Sequence, residues 1–395
     1  MKTNTHQQSA IITSLLDNDL YKFSMHQAVL HQFPAAEVVL KFKCRNDGII
    51  WSSAIVAEIT AQIEALTSLN FTEDELAYLA TLRFLKADYI DFLRIFRLQQ
   101  RYINIYQQQN ELHIEISGPW LHTILFEVPV LAIVNEVYFR HHAVNNLDYA
   151  QEQLSRKIAI IKTFPESFKF SDFGTRRRYT KDWHHSVIGQ IVEQLPGNFL
   201  GTSNVLFAKE FKVTPIGTMA HEWLQAGQAL TRIRDSQKFM FQKWADVYRG
   251  DLGIALSDVV GVDAFIRDFD LYFAKLFDGC RQDSGCPFEW GEKIIQMYQK
   301  LRIDPATKVA VFSDSLDINK AKQLYDRFHG RLKVMFGIGT NLTNDVGVEP
   351  LNIVIKMVTC NGMPVAKIAD GNGTKGMCED EEYLKYLKSQ FLINV

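Results

Sequence analysis

Two hydrophobic periods divide this chain. From Glu37 to Arg45 the pattern has period two: Leu40, Phe42 and Cys44 point one way and Lys41, Lys43 and Arg45 the other. This predicts a half-buried strand with a solvated cationic row. Residues 52–66 read as an amphipathic helix, and Thr72 followed by Glu75 forms a capping box for a helix reaching about Leu82. Residues 102–106 and 112–117 alternate around a polar Gln/Asn turn and predict a hairpin. Before them, Asn18 or Asp19 caps a helix whose first turn holds Tyr21, and residues 1–12 read as a loose tail. Gly118-Pro119 closes this mixed α+β region.

From about Trp120 helical periods alternate with short apolar runs. Helices are predicted over 147–163, 180–194 and 221–245. The strands are 168–171, 198–200, 212–216, 253–256, 278–281, 308–312 and 333–336, each closing in Gly, Ser, Thr, Asp or Arg. Such βαβ alternation implies a parallel sheet. A barrel gathers all seven strand ends around one mouth; an open doubly wound sheet is the alternative. After Asn344 the pattern reverts: 351–359 and 364–369 flank Asn361-Gly362, a hairpin signal, and 380–392 is a helix. The expected organisation is an α/β barrel over 120–344, with a mixed α+β domain built from 13–119 and 345–395.

Composition narrows the classes. The 395 residues are 47% hydrophobic and 22% charged, which suits a globular chain, and 27 Phe imply a large core. Forty-three Lys+Arg against 45 Asp+Glu give a formal charge of −2, so no global basic field points to nucleic acid or a membrane surface. Five scattered cysteines without a C-x-x-C argue against a disulfide framework or zinc and suit a reducing cytoplasm. Residues 1–10 are polar and lack the apolar core of a signal peptide. The apolar stretch 120–138 is interrupted by His122, Glu127, Pro129 and Asn135; it reads as a buried helix that Pro129 kinks or divides.

The strand-end turns carry the candidate chemistry. Gly217-Thr218 precedes His221, which falls in the first turn of a helix, where backbone N–H groups attract anions. Gly337-Ile338-Gly339-Thr340 can cradle a phosphate. Arg281 and Asp283 lie on one side of a strand end: the Arg can hold an anion, the Asp ribose hydroxyls or Mg²⁺ through water, or the two pair with each other. Arg176-Arg177-Arg178 concentrates cations beside Phe173, itself a core residue or a stacking platform. H-E-x-x-H, G-x-S-x-G and Walker A patterns are missing. The inventory fits phosphorylated-sugar chemistry better than proteolysis or redox.

Taken in order, 18–22 (NDLYK), 172–178 (DFGTRRR), 201–204 (GTSN), 217–223 (GTMAHEW), 283–285 (DSG) and 336–340 (FGIGT) closely resemble the nicotinate phosphoribosyltransferases of bacterial type, over nearly the whole chain. The resemblance implies the type II phosphoribosyltransferase fold, an irregular α/β barrel with a mixed α/β domain. It implies conversion of nicotinate and phosphoribosyl pyrophosphate to nicotinate mononucleotide and pyrophosphate in NAD salvage, with Mg²⁺, coupled to ATP hydrolysis through an autophosphorylated histidine matched by His221. Phe173 and Tyr21 would sandwich the pyridine ring, with Tyr21 supplied by a second subunit of a homodimer. Arg176 would lie beside the ring, with Thr202, Ser203, Ser284 and Gly285 also at the substrates. Arg281 and Asp283 would contact nicotinate and phosphoribose, and Gly337, Gly339 and Thr340 the 5′-phosphate. The metal would be held through the substrate pyrophosphate, with no direct protein ligand assigned.

Ser203 stands where nicotinamide-using relatives carry Asp; a carboxylate there would repel nicotinate. Asn18 replaces a common Thr and caps equally well, while Cys286 replaces a frequent Asp and stays outside the site. The rivals are a nicotinamide phosphoribosyltransferase, a non-catalytic sugar-phosphate or nucleotide binder, and, more weakly, an unrelated barrel hydrolase.

Overall fold

The two periods become two sheets. The computed structural model describes residues 9–142, 146–368, 378 and 380–393. Strands are numbered along the chain. The first sheet is antiparallel, in the order β13-β12-β1-β3-β2. It takes β1 (Glu37–Cys44), β2 (Ile103–Gln108) and β3 (Glu111–Pro119) from the start of the chain, and β12 (Ile353–Cys360) and β13 (Met363–Pro364) from its end. The alternation in β1 buries Val38, Leu40 and Phe42. The capping box forms as expected: Thr72 Oγ1 accepts from Glu75 N, and the Glu75 carboxylate accepts from Thr72 N.

The second sheet is parallel, in the order β6-β5-β4-β11-β10-β9-β8. Its members are β4 (Lys169–Asp172), β5 (Phe199–Thr202), β6 (Thr214–Pro215), β8 (Ile254–Leu256), β9 (Gly279–Gln282), β10 (Val309–Phe312) and β11 (Lys333–Ile338); a short β7 (Arg249–Leu252) precedes β8. All seven expected strands are present, so the irregular α/β barrel with a second mixed layer is the fold. Among the described residues no ladder joins β6 to β8, and the ring is incomplete there. Thr218 Oγ1 donates across the gap to Ile254 O at 3.0 Å. The Phe-rich composition fills the space behind the sheet: Phe168 stacks on Phe336 at 5.0 Å between centroids, and Phe336 on Phe312 at 6.0 Å.

Several expectations change. The loose tail is shorter than 1–12: Ile11 and Ile12 are buried, and Ile11 N donates to Gln62 Oε1 at 2.8 Å, while residues 1–8 lie outside the described residues. The helix expected over 221–245 is two, His221–Leu230 and Ser236–Tyr248, reversed through an extended Thr231. The reversal brings Trp223 and Trp244 edge to face at 5.5 Å, so both segments bury their apolar faces in one core. The apolar stretch after Trp120 breaks at 124–126; Pro129 sits in the first turn of Glu127–His141, where its missing N–H is tolerated. The helical stretch Trp120–His141 is long and apolar enough to cross a membrane but is 94% buried within the fold. The strand expected over 364–369 is reduced to β13, and Ala369 lies outside the described residues.

Candidate functional site

The C-terminal ends of the parallel strands open on a cavity of about 670 Å³. Pairing of β4 with β11 sets Asp172 beside Ile338, so the loops starting at Phe173 and Gly339 adjoin. Phe173 N donates to Ile338 O at 2.9 Å. Gly337 is required by this packing: a Cβ there would lie 2.3 Å from the Phe173 ring. The loops supply Phe173, Arg176, Ser203, His221, Arg281, Asp283, Gly339 and Thr340 to the cavity wall.

Tyr21 and Asp19 join this wall from the same chain. Within one chain Tyr21 therefore lines its own cavity, whereas the expectation has it supplied by a second subunit of a homodimer. The cause is local. Leu20 N donates to Ser203 O at 2.8 Å, Ser24 Oγ donates to Thr218 O at 2.5 Å, and Gly217 leaves room for the Tyr21 backbone, which a Cβ would meet at 2.9 Å. These contacts pin the start of the Leu20–Gln32 helix to the barrel rim. Asp19 caps that helix only by its backbone; its carboxylate instead accepts from Ser203 Oγ at 2.8 Å. Burial pushes the Asp19 carboxyl above its ordinary range, against the pull of the Ser203 hydroxyl.

His221 is the first residue of its helix, at the wall between the large cavity and a second compartment of about 220 Å³. Its Nε2 lies 3.0 Å from Asp258 Oδ1 and its Nδ1 3.7 Å from Asp283 Oδ2. Asp258 is buried, accepts from Ser284 Oγ at 2.6 Å and pairs with Lys367 Nζ at 2.7 Å. Burial and then the Lys367 charge bring the His221 pKa down to about 4, so the imidazole is neutral near pH 7. Burial opposes ionisation of Asp258, but Lys367 and His221 outweigh it and hold the carboxyl well below its usual range. With Asp258 ionised, the hydrogen-bond geometry assigns the ring proton to Nε2 and leaves the Nδ1 lone pair toward Asp283.

The second compartment is densely charged, with cations in slight excess. Arg45, Arg176, Arg177, Lys356 and Lys367 line it together with the carboxylates Glu127, Glu222, Asp283 and Asp314; Asp283, Ser313 and Ser315 also border the large cavity. Burial, then Lys367 and Arg45, bring Lys356 down to about 7; burial, then Arg176, bring Arg177 down to about 10. Lys356 stands directly opposite Lys41 in the β1–β12 ladder, and Lys41 stands opposite Glu115 in the β1–β3 ladder.

Some expected residues stand back from the cavity. Thr202 is fully buried and donates to Asp172 Oδ2 at 2.6 Å, bracing the Phe173 loop together with His184, whose Nε2 lies 2.8 Å from the same oxygen. Gly285 lines neither compartment; its carbonyl accepts from Gln282 Nε2. Gly337 acts through Phe173, whereas Ser284 lines the second compartment rather than the large cavity and donates there to Asp258. Arg281 and Asp283 approach one another only to 3.6 Å, so neither is consumed by the pair. Arg178 leaves the Arg cluster altogether: it is buried and binds Asp17 through two hydrogen bonds of 2.7 and 2.8 Å. Sequence reasoning missed Asp258, Arg45, Lys356 and Lys367 as site residues. Asp258 closes a strand like the other site loops, a usable signal; the three cations lie on strands or coil that alternate like any solvated face.

The chain resembles known proteins along its whole length. The model of the nicotinate phosphoribosyltransferase (NAPRTase) family matches residues 168–394, and that of the family's N-terminal domain matches residues 16–135. A nicotinate phosphoribosyltransferase of Burkholderia mallei is 57% identical over 389 residues, covering 96% of this chain and 97% of that one. The crystal structure of nicotinate phosphoribosyltransferase from Vibrio cholerae superposes with a TM-score of 0.92 at 39% identity, covering 98% of this chain and 95% of that one. The one from Porphyromonas gingivalis gives 0.93 at 34%, covering 97% and 100%.

Proposed function

Since the chain belongs to the nicotinate phosphoribosyltransferase family, we propose that it joins nicotinate to phosphoribosyl pyrophosphate, releasing pyrophosphate and forming nicotinate mononucleotide. We place this step in NAD salvage in the cytoplasm, coupled to ATP hydrolysis through phosphorylation of His221. The observation that carries the reading is that His221 and Asp283 form the wall between an aromatic cavity and a cationic compartment.

In this reading the work is divided. Phe173 and Tyr21, both on the cavity wall, would stack on a flat pyridine, and Arg176 would supply a cation for its carboxylate. Ser203 spends its hydroxyl proton on Asp19 and so covers the one carboxylate that would repel the acid from that side. The Gly339-Thr340 loop opens the short helix Thr340–Thr343 and offers backbone N–H groups and a hydroxyl to the 5′-phosphate. The pyridine nitrogen attacks ribose C1 as the C1–O bond to pyrophosphate breaks. Positive charge grows on the ribose and negative charge on the leaving oxygens. Asp283 faces the first, and Arg45, Arg177, Lys356 and Lys367 receive the second.

Among the described residues no group of three or more carboxylate, His or Cys side chains is set to hold a metal. Asp283 is the carboxylate that, among the described residues, borders both compartments, with Oδ1 accepting from Ser313 Oγ at 2.9 Å. This donor set fits a Mg²⁺ carried mainly by pyrophosphate oxygens with Asp283 as protein partner; when bound, the ion supplies charge to the leaving group.

In the ATP-dependent arm the Nδ1 lone pair of His221 attacks the γ-phosphorus. The bond to the β-phosphate oxygen breaks, ADP leaves, and Asp258 stabilises the developing positive imidazole through Nε2–H. Hydrolysis later returns phosphate and the free histidine. The test incubates the protein with nicotinate, donor and Mg²⁺, with and without ATP, and follows mononucleotide. His221→Asn should abolish ATP stimulation and leave basal transfer; equal stimulation in that variant removes the role assigned to the histidine.

A further inference from the structure

Beside the site lies an ion network centred on a buried ammonium, and two of its carboxylates, Glu127 and Glu222, also line the second compartment. Lys22 Nζ, with its side chain fully buried, lies 2.5 Å from Glu222 Oε2 and 2.5 Å from Glu127 Oε2. Trp120 Nε1 donates to Glu222 Oε1 at 3.2 Å, and Arg176 Nη1 stands 3.7 Å from Glu127 Oε1. Apart from the branch to Trp120, each member adjoins a site residue. Lys22 follows Tyr21 in the chain, Glu222 follows His221, and Glu127 holds Arg176 loosely.

The geometry points to Lys22 as a positioning residue: one buried ammonium, shared by Glu222 and Glu127, ties the helix start bearing His221 to the Tyr21–Arg176 side that grips the pyridine acid. Two carboxylates compete for this ammonium in a region of low dielectric, so a change at one is felt at the other. Phosphate on His221 would add negative charge beside Glu222. A change in the Glu222–Lys22 attraction would alter what Lys22 supplies to Glu127, and through Glu127 the freedom of Arg176 to meet the nicotinate carboxylate. The coupling half of this inference rests on the phosphohistidine reading; the positioning half does not.

A buried pair can be replaced by neutral groups of similar shape with little loss of stability, whereas removing one partner alone is costly. The test therefore uses the double variant Lys22→Met/Glu222→Gln, in which one cation and one anion leave together and the Gln carbonyl still accepts from Trp120. The expected result is a melting temperature near wild type, a nicotinate KM raised about 10-fold without ATP with kcat nearly unchanged, and a nicotinate KM that no longer responds to ATP. Labelling with γ-labelled ATP should persist in this variant. A double variant with wild-type KM and wild-type ATP response overturns the proposal. If wild type itself takes no label, the histidine reading fails; the KM without ATP then still decides the positioning half. Should the double variant not fold, Glu127→Gln cuts only the arm to Arg176. It should lose the ATP response of the nicotinate KM while keeping the label; an intact response there overturns the proposal as well.

Discussion

The two walls that meet at His221 are built on different principles. The barrel rim is shaped: Phe173, Ser203, Asp283 and Gly339 occupy loops fixed by β-ladders, by the Asp172–Thr202–His184 brace and, deeper, by the Asp17–Arg178 pair. The antiparallel sheet and the coil after it contribute charge instead: Arg45, Lys356 and Lys367 crowd one compartment, and Lys356 faces Lys41 across a ladder. A shaped wall suits a flat ring and a pentose, whose contacts depend on direction. A charged wall suits a polyphosphate, whose contacts depend on the number of cations. The division explains why the fold takes strands from both chain ends: the parallel sheet places recognition, and the second sheet brings the cations to it.

The largest way to break this contrast is to remove the brace of the shaped wall. Arg178→Met leaves Asp17 buried with only Asn204 and should cost about 3–5 kcal/mol of stability, read by denaturant titration. Burial alone would raise the Asp17 pKa, but Arg178 outweighs it and the net shift is downward. A depressed folded pKa gives stability that is present above the unfolded value of 3.8 and is lost as pH falls below it. The wild type should therefore lose stability in that acid window, and the variant should show less of this dependence. Next in size, Asp283→Asn removes the charge facing the ribose; kcat should fall about 10²–10³-fold with the melting temperature kept, which steady-state kinetics and a thermal melt check together.

How much of this was legible follows the same division. The rim loops were readable because each breaks a hydrophobic run with residues that have a backbone or ligand task, as Gly217-Thr218 and Gly337 do. The cationic wall was not readable. Arg45 belongs to a Lys/Arg row that alternation assigns to solvent, and it joins a site because β12, more than 300 residues away in the chain, pairs with β1 and brings Lys356 to the same compartment. Arg176, Arg177 and Arg178 look alike in sequence, yet the third is a core residue because Asp17 is folded against it. The break at Thr231 was hidden for a related reason: helical period runs on through it, and tertiary packing of Trp223 on Trp244 decides the reversal.

A smaller effect sharpens the role of the shaped wall. Ser203→Asp would set a second carboxylate beside Asp19, which already accepts the Ser203 proton. Like charges at this range raise the cost of bringing in a third. The KM for nicotinate should rise about 10–100-fold, while that for the uncharged amide rises less; a competition assay between acid and amide reads the ratio. An unchanged ratio would show that selectivity resides in the arginines of the cavity, Arg176 and Arg281, and not in Ser203.

The finest test asks whether the charged wall tunes the histidine as well as the polyphosphate. The folded pKa of His221 is about 4, below its ordinary 6.5, so the neutral imidazole required for attack persists through pH 5–6.5. A neutral buried histidine also makes stability fall as pH drops from 6.5 toward 4, because the unfolded chain binds the proton more readily. Lys367→Met removes the charge that ranks next after burial in lowering this pKa, and it leaves Asp258 with one cation fewer, which further favours the imidazolium. The acid limb of ATP stimulation should move up from about pH 4 toward 6.5. Lys356→Met serves as the control. Lys356 is not among the leading charges that set the His221 pKa, and its own pKa near 7 means that it gives up its proton as pH rises past neutrality. That variant should weaken polyphosphate binding most below pH 7, where wild type carries the charge, and should leave the acid limb in place. If both variants shift the limb equally, the compartment acts on His221 as a diffuse field; if only Lys367→Met does, the Lys367–Asp258–His221 chain is the specific link between the two walls.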